Sequence, residues 1–219
     1  MRGKQARFDE IKIRNNVFDP VNDGYEKIKG NWHSDYFKNK NKIVLELACG
    51  RGEYTIGMAR LFDNKNFIGV DIKGDRIWKG SGVAIEENLS HLAFLRTDIR
   101  LLEKFFDKDE ITDIWITFPD PRPKDRDIKK RLTGPNFLNM YKRLIKPSGT
   151  VRLKTDNTDL FDYTLEVVQE RDDIVDLQHT HDLYNSNLNS ECFSIRTRFE
   201  QKFNEKGHDI KYLRFGFKQ

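Results

Sequence analysis

The amino-acid sequence predicts an α/β protein built around a doubly wound, mostly parallel sheet of seven strands. From residue 42 onward, short apolar runs alternate with longer mixed segments, as in successive βαβ units. The length of 219 residues suits one large domain, and no proline-, glycine- or serine-rich linker divides the sequence. A single sheet covered by helices accounts for both observations.

Local patterns predict the individual elements. Short runs rich in β-branched and aromatic residues predict the seven strands, at Lys42–Leu47, Phe67–Asp71, Leu92–Arg96, Asp113–Phe118, Thr150–Thr155, Ile174–Thr180 and Ile210–Phe217. Segments with helical character lie between most of them, at Glu53–Phe62, Asp75–Asn88, Pro135–Ile145, Leu160–Glu170 and roughly Ser194–Lys206.

The first forty residues differ from the rest of the chain. They are polar and basic, are interrupted by Pro20, Gly24 and Gly30, and show no sustained period. We interpret residues 1–40 as an N-terminal basic arm or lead-in, and residues 41–219 as a single domain.

The positive charge of the chain is concentrated in one short segment. The chain has 39 Lys and Arg against 35 Asp and Glu, a formal net charge of +4. The segment Arg122–Arg131 contains six basic and two acidic residues, so this segment alone carries as much charge as the whole chain. Such a local cluster favours an acidic partner such as a nucleic acid.

Several classes of protein are disfavoured by composition. Cys49 and Cys192 are too few for a disulfide framework, and no Cys/His spacing suggests a metal site. The basic N-terminus lacks the apolar core of a secretory signal, and no apolar run approaches the ~18 residues of a membrane span. We therefore expect a soluble, cytoplasmic protein without metal or membrane association, either a monomer or a homodimer.

A glycine loop follows the first strand of the predicted domain. Gly50 and Gly52 lie between that strand and a helix, where glycines allow a tight turn and close approach to a ligand. A dinucleotide fingerprint would have a third glycine at the position of Thr55, so a nicotinamide cofactor is disfavoured. Glu46 lies inside the strand itself, and a buried carboxylate requires partners, for example the amino group of an amino-acid-like ligand.

Acidic residues also follow the next two strands. Asp71 comes 19 residues after Gly52 at the end of the second strand, a position where a carboxylate commonly binds ribose hydroxyls. Asp98 follows the third strand and is expected to meet an adenine edge. The series of Glu46, the two glycines, Asp71 and Asp98 resembles the S-adenosylmethionine-dependent methyltransferases of the Rossmann-like class.

The most informative segment follows the fourth strand and begins Phe118-Pro119-Asp120-Pro121-Arg122-Pro123-Lys124. Three alternating prolines stiffen this loop. Asp120 is thereby held at the carboxyl end of a strand, where open α/β sheets form their binding sites.

This segment resembles the bacterial tRNA (guanine-N7-)-methyltransferase family, whose motif FxDPWPK is followed by a basic cluster ending in RRLT. The matching residues are Phe118, Asp120, Pro121, Pro123, Lys124, Arg126, Lys129, Lys130 (for Arg), Arg131, Leu132 and Thr133. The sequences KTDN at Lys154–Asn157 and TRFE at Thr197–Glu200 also match family motifs, and the resemblance extends over roughly residues 43–217.

Three residues depart from the family pattern. Arg122 replaces the tryptophan, and its guanidinium could take over a stacking role. Ala48 replaces a glycine, a mild change if the backbone there keeps a negative φ. Asp127 replaces a histidine and lowers the local positive charge.

The resemblance implies transfer of a methyl group from S-adenosylmethionine to N7 of a variable-region guanine in tRNA, giving 7-methylguanosine and S-adenosylhomocysteine. It implies that Asp120 is catalytic and orients the guanine. The implied cofactor-binding residues are Glu46, Gly50, Gly52, Asp71, Asp98 and Asp120. The implied tRNA-binding residues are Lys124, Asp156, Thr197, Arg198, Phe199, Glu200, Arg126, Lys129, Lys130 and Arg131.

Two alternatives remain open from the residues alone. A methyltransferase for another RNA, a protein or a small molecule would share the whole cofactor end, although a small neutral acceptor would not need the basic cluster. A non-catalytic RNA-binding module is disfavoured by the strand-end carboxylates, because acids near a phosphate backbone weaken binding.

Overall fold

A computed structural model describes residues 3–218. In chain order the elements are α1 (Lys4–Ile11), β1 (Val17–Phe18), β2 (Lys42–Leu47), α2 (Glu53–Leu61), β3 (Lys65–Asp71), α3 (Gly74–Glu86), β4 (Leu92–Arg96), β5 (Ile111–Thr117), α4 (Pro135–Leu144), β6 (Ile145–Thr155), α5 (Thr158–Gln169), β7 (Ile174–Thr180), α6 (Arg198–Glu205) and β8 (Lys211–Phe217). Short helical segments lie at Trp32–Phe37, Ile99–Lys104, Asp125–Lys130 and Asn187–Cys192.

The strands form one eight-stranded sheet in the order β1-β4-β3-β2-β5-β6-β8-β7. β1 to β6 are paired in parallel, whereas β8 is antiparallel to both β6 and β7. The predicted α/β class is confirmed, and all seven predicted strands are present. The eighth strand, β1, has only two residues, which is too short to show a period in the sequence.

The topology determines where a ligand can bind. From β2 the chain moves outward through β3 to β4, and then returns to the other side of β2 with β5 and β6. The order of the strands therefore reverses between β2 and β5. In open parallel sheets this reversal opens a crevice at the carboxyl ends of the strands.

Most predicted boundaries agree to within two residues, and two moved by four or five residues for local reasons. The last helix begins at Arg198 rather than near Ser194, because Phe193 and Ser194 have positive φ angles of 55° and 58° that a helix cannot contain. β6 begins at Ile145 rather than Thr150, because Ile145 pairs with Ile111 before the register shifts.

Residues in the first forty form elements that the sequence did not predict. α1 packs against α3, and β1 pairs with Phe94 and Leu95 of β4. Trp32 is buried and donates a hydrogen bond of 2.8 Å from Nε1 to the carbonyl oxygen of Phe105. This segment therefore packs around the β4 edge of the sheet, with Trp32 in the core on one face and Ile11 in the core on the other.

Candidate active site

The glycine loop connects β2 to α2 through three left-handed residues. Ala48, Gly50 and Gly52 have φ angles of 57°, 57° and 68°. A Cβ at Gly52 would lie 2.6 Å from the Phe94 ring, so only glycine fits there. At Ala48 the condition for a mild replacement is not met, since φ is positive. An L-residue in this region costs roughly 1–2 kcal/mol.

Asp71 attaches this loop to the end of β3. Its Oδ2 accepts a hydrogen bond of 2.8 Å from the Gly50 N–H, and its Oδ1 accepts one of 2.8 Å from the Lys73 N–H. The carboxylate is largely buried. Each carboxylate oxygen has two lone pairs, so both retain capacity to accept a hydrogen bond from a ligand hydroxyl.

Glu46 is buried in β2 and is surrounded by donors. One carboxylate oxygen accepts hydrogen bonds from the Thr55 N–H, at 2.8 Å, and from the Thr55 hydroxyl. The other accepts from the Thr117 hydroxyl. Burial nevertheless raises the pKa of Glu46 to about 7, because removal from water penalises the charged form. Thr55 occupies the position where a dinucleotide site would have its third glycine, and here it donates hydrogen bonds to this carboxylate.

Asp98 follows β4 and caps the helical segment Ile99–Lys104. It accepts a hydrogen bond of 2.9 Å from the Arg100 N–H and pairs with the Arg100 guanidinium. Hydrogen bonding to that guanidinium holds the pKa of Asp98 below its ordinary value. Asp98 is therefore a helix cap and a cavity residue at once.

Two adjoining cavities lie above these strand ends. Cavity 1, of about 920 Å³, contains Glu46 and Gly50 in its wall. Cavity 2, of about 600 Å³, is lined by carboxylates at the ends of the two strands on either side of β2, namely Asp98 and Asp71 on one side and Asp120 and Asp156 on the other. The two cavities share one wall, formed by Ala48, Arg76, Phe118 and Phe199. A ligand that spans the wall can therefore reach the predicted acids other than Glu200, which lines neither cavity.

Asp120 lies in a constrained loop after β5. Phe118 and Arg122, two residues to either side, have positive φ angles of 48° and 51°. The Phe118 N–H donates a hydrogen bond of 2.8 Å to the carbonyl oxygen of Lys154, which attaches the loop to β6. The Asp120 side chain itself is 66% exposed, and its Oδ2 lies 3.4 Å from Nη2 of Arg122.

The predicted basic cluster is partly neutralised within itself. Asp127 lies 2.6 Å from Nζ of Lys130 and 3.9 Å from Nε of Arg126. Arg131 is buried, stacks over the Tyr163 ring at 4.3 Å and donates a hydrogen bond to the carbonyl oxygen of Arg122. Lys124 and Lys129 are exposed, and they form no ion pair among residues 3–218.

Thr197 and Glu200 begin α6 with a capping box. The Glu200 N–H donates to the Thr197 hydroxyl, and the Thr197 N–H donates to Oε2 of Glu200, both at 3.2 Å. Glu200 is 0% exposed. Its Oε1 lies 2.6 Å from Nζ of Lys154, which is 1% exposed, and accepts a hydrogen bond of 2.6 Å from Tyr184. The carboxylate is thus directed into the interior.

The remaining two residues of the TRFE segment face outward. Phe199 is 58% exposed and belongs to the wall shared by the cavities. Arg198 is exposed, and its backbone N–H donates a hydrogen bond of 2.7 Å to Oε2 of Glu53 in α2.

Lys154, Tyr184 and Glu53 form the contacts that sequence reasoning missed. Lys154 stood in a family motif, but nothing in the sequence connected it to Glu200. The one available signal was a lysine inside an apolar strand, because a buried ammonium requires an acidic partner.

Across residues 3–218 there is no group of three or more His, Cys, Asp or Glu placed to hold a metal ion. No helix in the described part of the chain is long and apolar enough to cross a membrane.

Known proteins resemble this chain over most of its length. Residues 40–213 match a family model described as "Putative methyltransferase". The tRNA (guanine-N(7)-)-methyltransferase of Cytophaga hutchinsonii is 48% identical over 217 residues, 99% of this chain and 98% of that protein. The protein of the same name from Christiangramia forsetii is 42% identical over 222 residues, 99% of each chain.

Solved structures resemble it in fold. The 16S rRNA methyltransferase KamB aligns with a TM-score of 0.61 over 92% of this chain and 96% of its own, at 11% identity. A Haemonchus contortus phosphoethanolamine N-methyltransferase 2 in complex with S-adenosyl-L-methionine aligns with a TM-score of 0.54 over 99% of this chain and 58% of its own, at 12% identity. At such identities the likeness concerns the fold alone.

The buried ion pair generates a first prediction. Lys154→Met should lower the free energy of unfolding by about 3–5 kcal/mol, because it leaves the Glu200 carboxylate buried without its cation. The double variant Lys154→Met/Glu200→Gln removes both charges and keeps the acceptor of the capping box, so it should lose less than the two single variants together. Urea unfolding of the parent, both single variants and the double variant measures the coupling. Additive losses would show that the two charges do not interact.

Glu46 generates a prediction about pH. With a folded pKa of about 7 and an ordinary value of 4.5, the folded protein binds more protons than the unfolded chain between these values. Its contribution to stability therefore declines as pH rises from about 5 to about 8, by roughly 2–3 kcal/mol. Glu46→Gln should remove this decline in urea unfolding, whereas Glu205→Gln, an exposed control, should retain it. A decline of equal size in all three proteins would contradict the assignment.

Proposed function

This chain belongs to the tRNA (guanine-N(7)-)-methyltransferase family, and we propose that its adjoining cavities hold the methyl donor and a guanine from the variable region of tRNA. The reaction is the S-adenosylmethionine-dependent methylation of N7 of a tRNA guanine. The observation that carries the proposal is the set of carboxylates at five neighbouring strand ends, Glu46, Asp71, Asp98, Asp120 and Asp156, around two cavities with one common wall. We further propose that the enzyme acts in the cytoplasm.

The donor set of the cavities fits S-adenosylmethionine. Glu46 is a buried carboxylate whose partners are two hydroxyls and one backbone N–H, and it suits the ammonium of the methionine portion. Asp71 would accept the ribose hydroxyls, Asp98 would meet the adenine edge, and Gly50 and Gly52 allow close approach. When bound, S-adenosylmethionine supplies an electrophilic methyl group on a sulfonium.

The protein has to orient the guanine rather than activate it. Guanine N7 has a free lone pair and no proton at neutral pH, so no general base is needed. Orientation alone can contribute roughly 7–11 kcal/mol in well-aligned reactions. We propose that Asp120 accepts hydrogen bonds from N1–H and the exocyclic amine. For this it must exchange its contact with Arg122, whose guanidinium then becomes available to stack on the base.

The tRNA-binding residues divide into two groups by exposure. Lys124, Arg126, Lys129, Lys130, Arg198 and Phe199 are exposed and suited to contact tRNA, and Asp156 faces cavity 2. Thr197, Glu200 and Arg131 are buried. We propose that Thr197 and Glu200 orient α6 and that Arg131 supports the Asp120 loop, so these three act by positioning other residues.

The proposal is tested with unmodified tRNA and S-adenosylmethionine, followed by nucleoside analysis. The parent should produce 7-methylguanosine, and Asp120→Asn should lower the single-turnover rate by at least a hundredfold with an unchanged melting temperature. Exposed Asp159→Asn, at the start of α5, serves as the control and should be fully active. An Asp120→Asn rate within a few-fold of the parent would exclude Asp120 from the reaction. Methylation of another acceptor in preference to tRNA would overturn the assigned substrate.

Asp71→Asn should weaken the binding of S-adenosylmethionine and leave tRNA binding nearly unchanged. A lost charge-assisted hydrogen bond typically costs ~1.5–3 kcal/mol, roughly ten- to a hundredfold in affinity. Calorimetry measures the donor affinity and filter binding measures the tRNA affinity. Unchanged donor affinity would show that this carboxylate does not contact the donor.

A further inference from the structure

A second basic surface surrounds cavity 1, and it is not evident from the sequence. Five exposed cations from the glycine loop, α3 and α6 line this cavity, and we call them the rim cations: Arg51, Arg76, Lys79, Arg198 and Lys202. Within residues 3–218, none of the five forms a salt bridge through its side chain. Their charges are therefore available to an external partner.

The acidic residues of the same cavity offset this charge only in part. Glu46 is buried beneath the rim and accepts hydrogen bonds from Thr55 and Thr117, and Glu53 accepts the Arg198 backbone N–H. Asp75 and Glu86, both in α3, are the other two carboxylates in the cavity wall. The five rim cations outnumber these four carboxylates, so the mouth of cavity 1 carries an excess of positive charge.

Arg76 belongs to the shared wall, and the other rim cations lie across that wall from the basic cluster. Lys79 and Lys202 line cavity 1 and not cavity 2, whereas Arg122 and Lys130 line cavity 2 and not cavity 1. Phe199 belongs to both cavities. A base that enters at the common wall therefore has cationic side chains on either side of it.

We propose that the rim cations, which include the two lysines Lys79 and Lys202, bind the sugar–phosphate backbone of the tRNA on the side of the target guanine away from the basic cluster. The inference rests on the proposed function, since it names a second contact surface for the same substrate. An RNA backbone is the partner whose regularly spaced negative charges match cations that come from separate elements. Cations that bind the backbone on both sides of the target nucleotide restrain it while its base leaves the stack.

The test measures the salt dependence of tRNA binding. Lys79→Gln/Lys202→Gln should flatten the slope of log affinity against log salt by about 1.5 units, at ~0.7–0.9 per phosphate contact. The matched control Lys40→Gln/Lys108→Gln removes two exposed lysines that precede β2 and β5, at the opposite edge of the sheet, and should leave the slope unchanged. In methylation assays the Lys79/Lys202 variant should raise KM for tRNA and keep kcat, and calorimetry should find the parent's affinity for S-adenosylmethionine.

Two further variants test whether the basic cluster and the rim cations bind the tRNA independently. Lys124→Gln/Lys129→Gln should flatten the slope by a similar amount, and the quadruple variant by the sum, because the two groups contact different phosphates. An effect of the quadruple variant no larger than that of either double variant would overturn the two-sided arrangement.

The outcomes separate this inference from the function on which it rests. An unchanged slope for Lys79→Gln/Lys202→Gln, with a parent that methylates tRNA, overturns the second surface and leaves the activity standing. An equal change in the Lys40/Lys108 control overturns it as well, because net charge alone would then explain the effect. A parent that neither binds nor methylates tRNA overturns both.

Discussion

The arrangement of the site depends on one electrostatic constraint, which is that a parallel sheet brings the carboxyl ends of its strands, and their acids, to one edge. Like charges in such proximity repel each other, and four of the five acids have local partners that stabilise them. Asp71 accepts two backbone N–H groups, Glu46 accepts hydroxyls and an N–H, and Asp98 and Asp120 lie beside arginines. The Gly50 N–H that stabilises Asp71 also holds the glycine loop in place. The hydrogen bond that stabilises this acid therefore shapes the cavity wall as well.

The wall shared by the two cavities depends on a buried ion pair. α6 is a short helix, and none of its residues belongs to the apolar core formed by the described part of the chain. Its first turn is attached to β6 by Lys154 and Glu200, to α2 by Glu53, and to the preceding loop by Tyr184. A buried pair contributes little net stability, but its geometry is specific. This specificity is what orients Phe199 at the wall between the two cavities.

The number of charged residues in a segment of the sequence does not give the charge that the folded surface offers to a partner. The segment Arg122–Arg131 has the highest local charge, yet Arg131 is buried and Asp127 pairs with two of its neighbours. The rim cations are dispersed among acids in the sequence and gather only around cavity 1. The charge available to a partner is set by exposure and pairing, which are properties of the fold.

The sequence by itself determined the class of the fold, seven strands and the acids at the strand ends. Strand periodicity and strand-end acids are local properties, and parallel strands necessarily share an edge. Only the tertiary structure decided the positive φ of Ala48, the inward direction of Glu200, the burial of Arg131 and the packing of residues 3–40. It also paired Lys154 with a carboxylate 46 residues further along the chain. Each of these depends on which distant segments pack together, and local patterns carry no information about that.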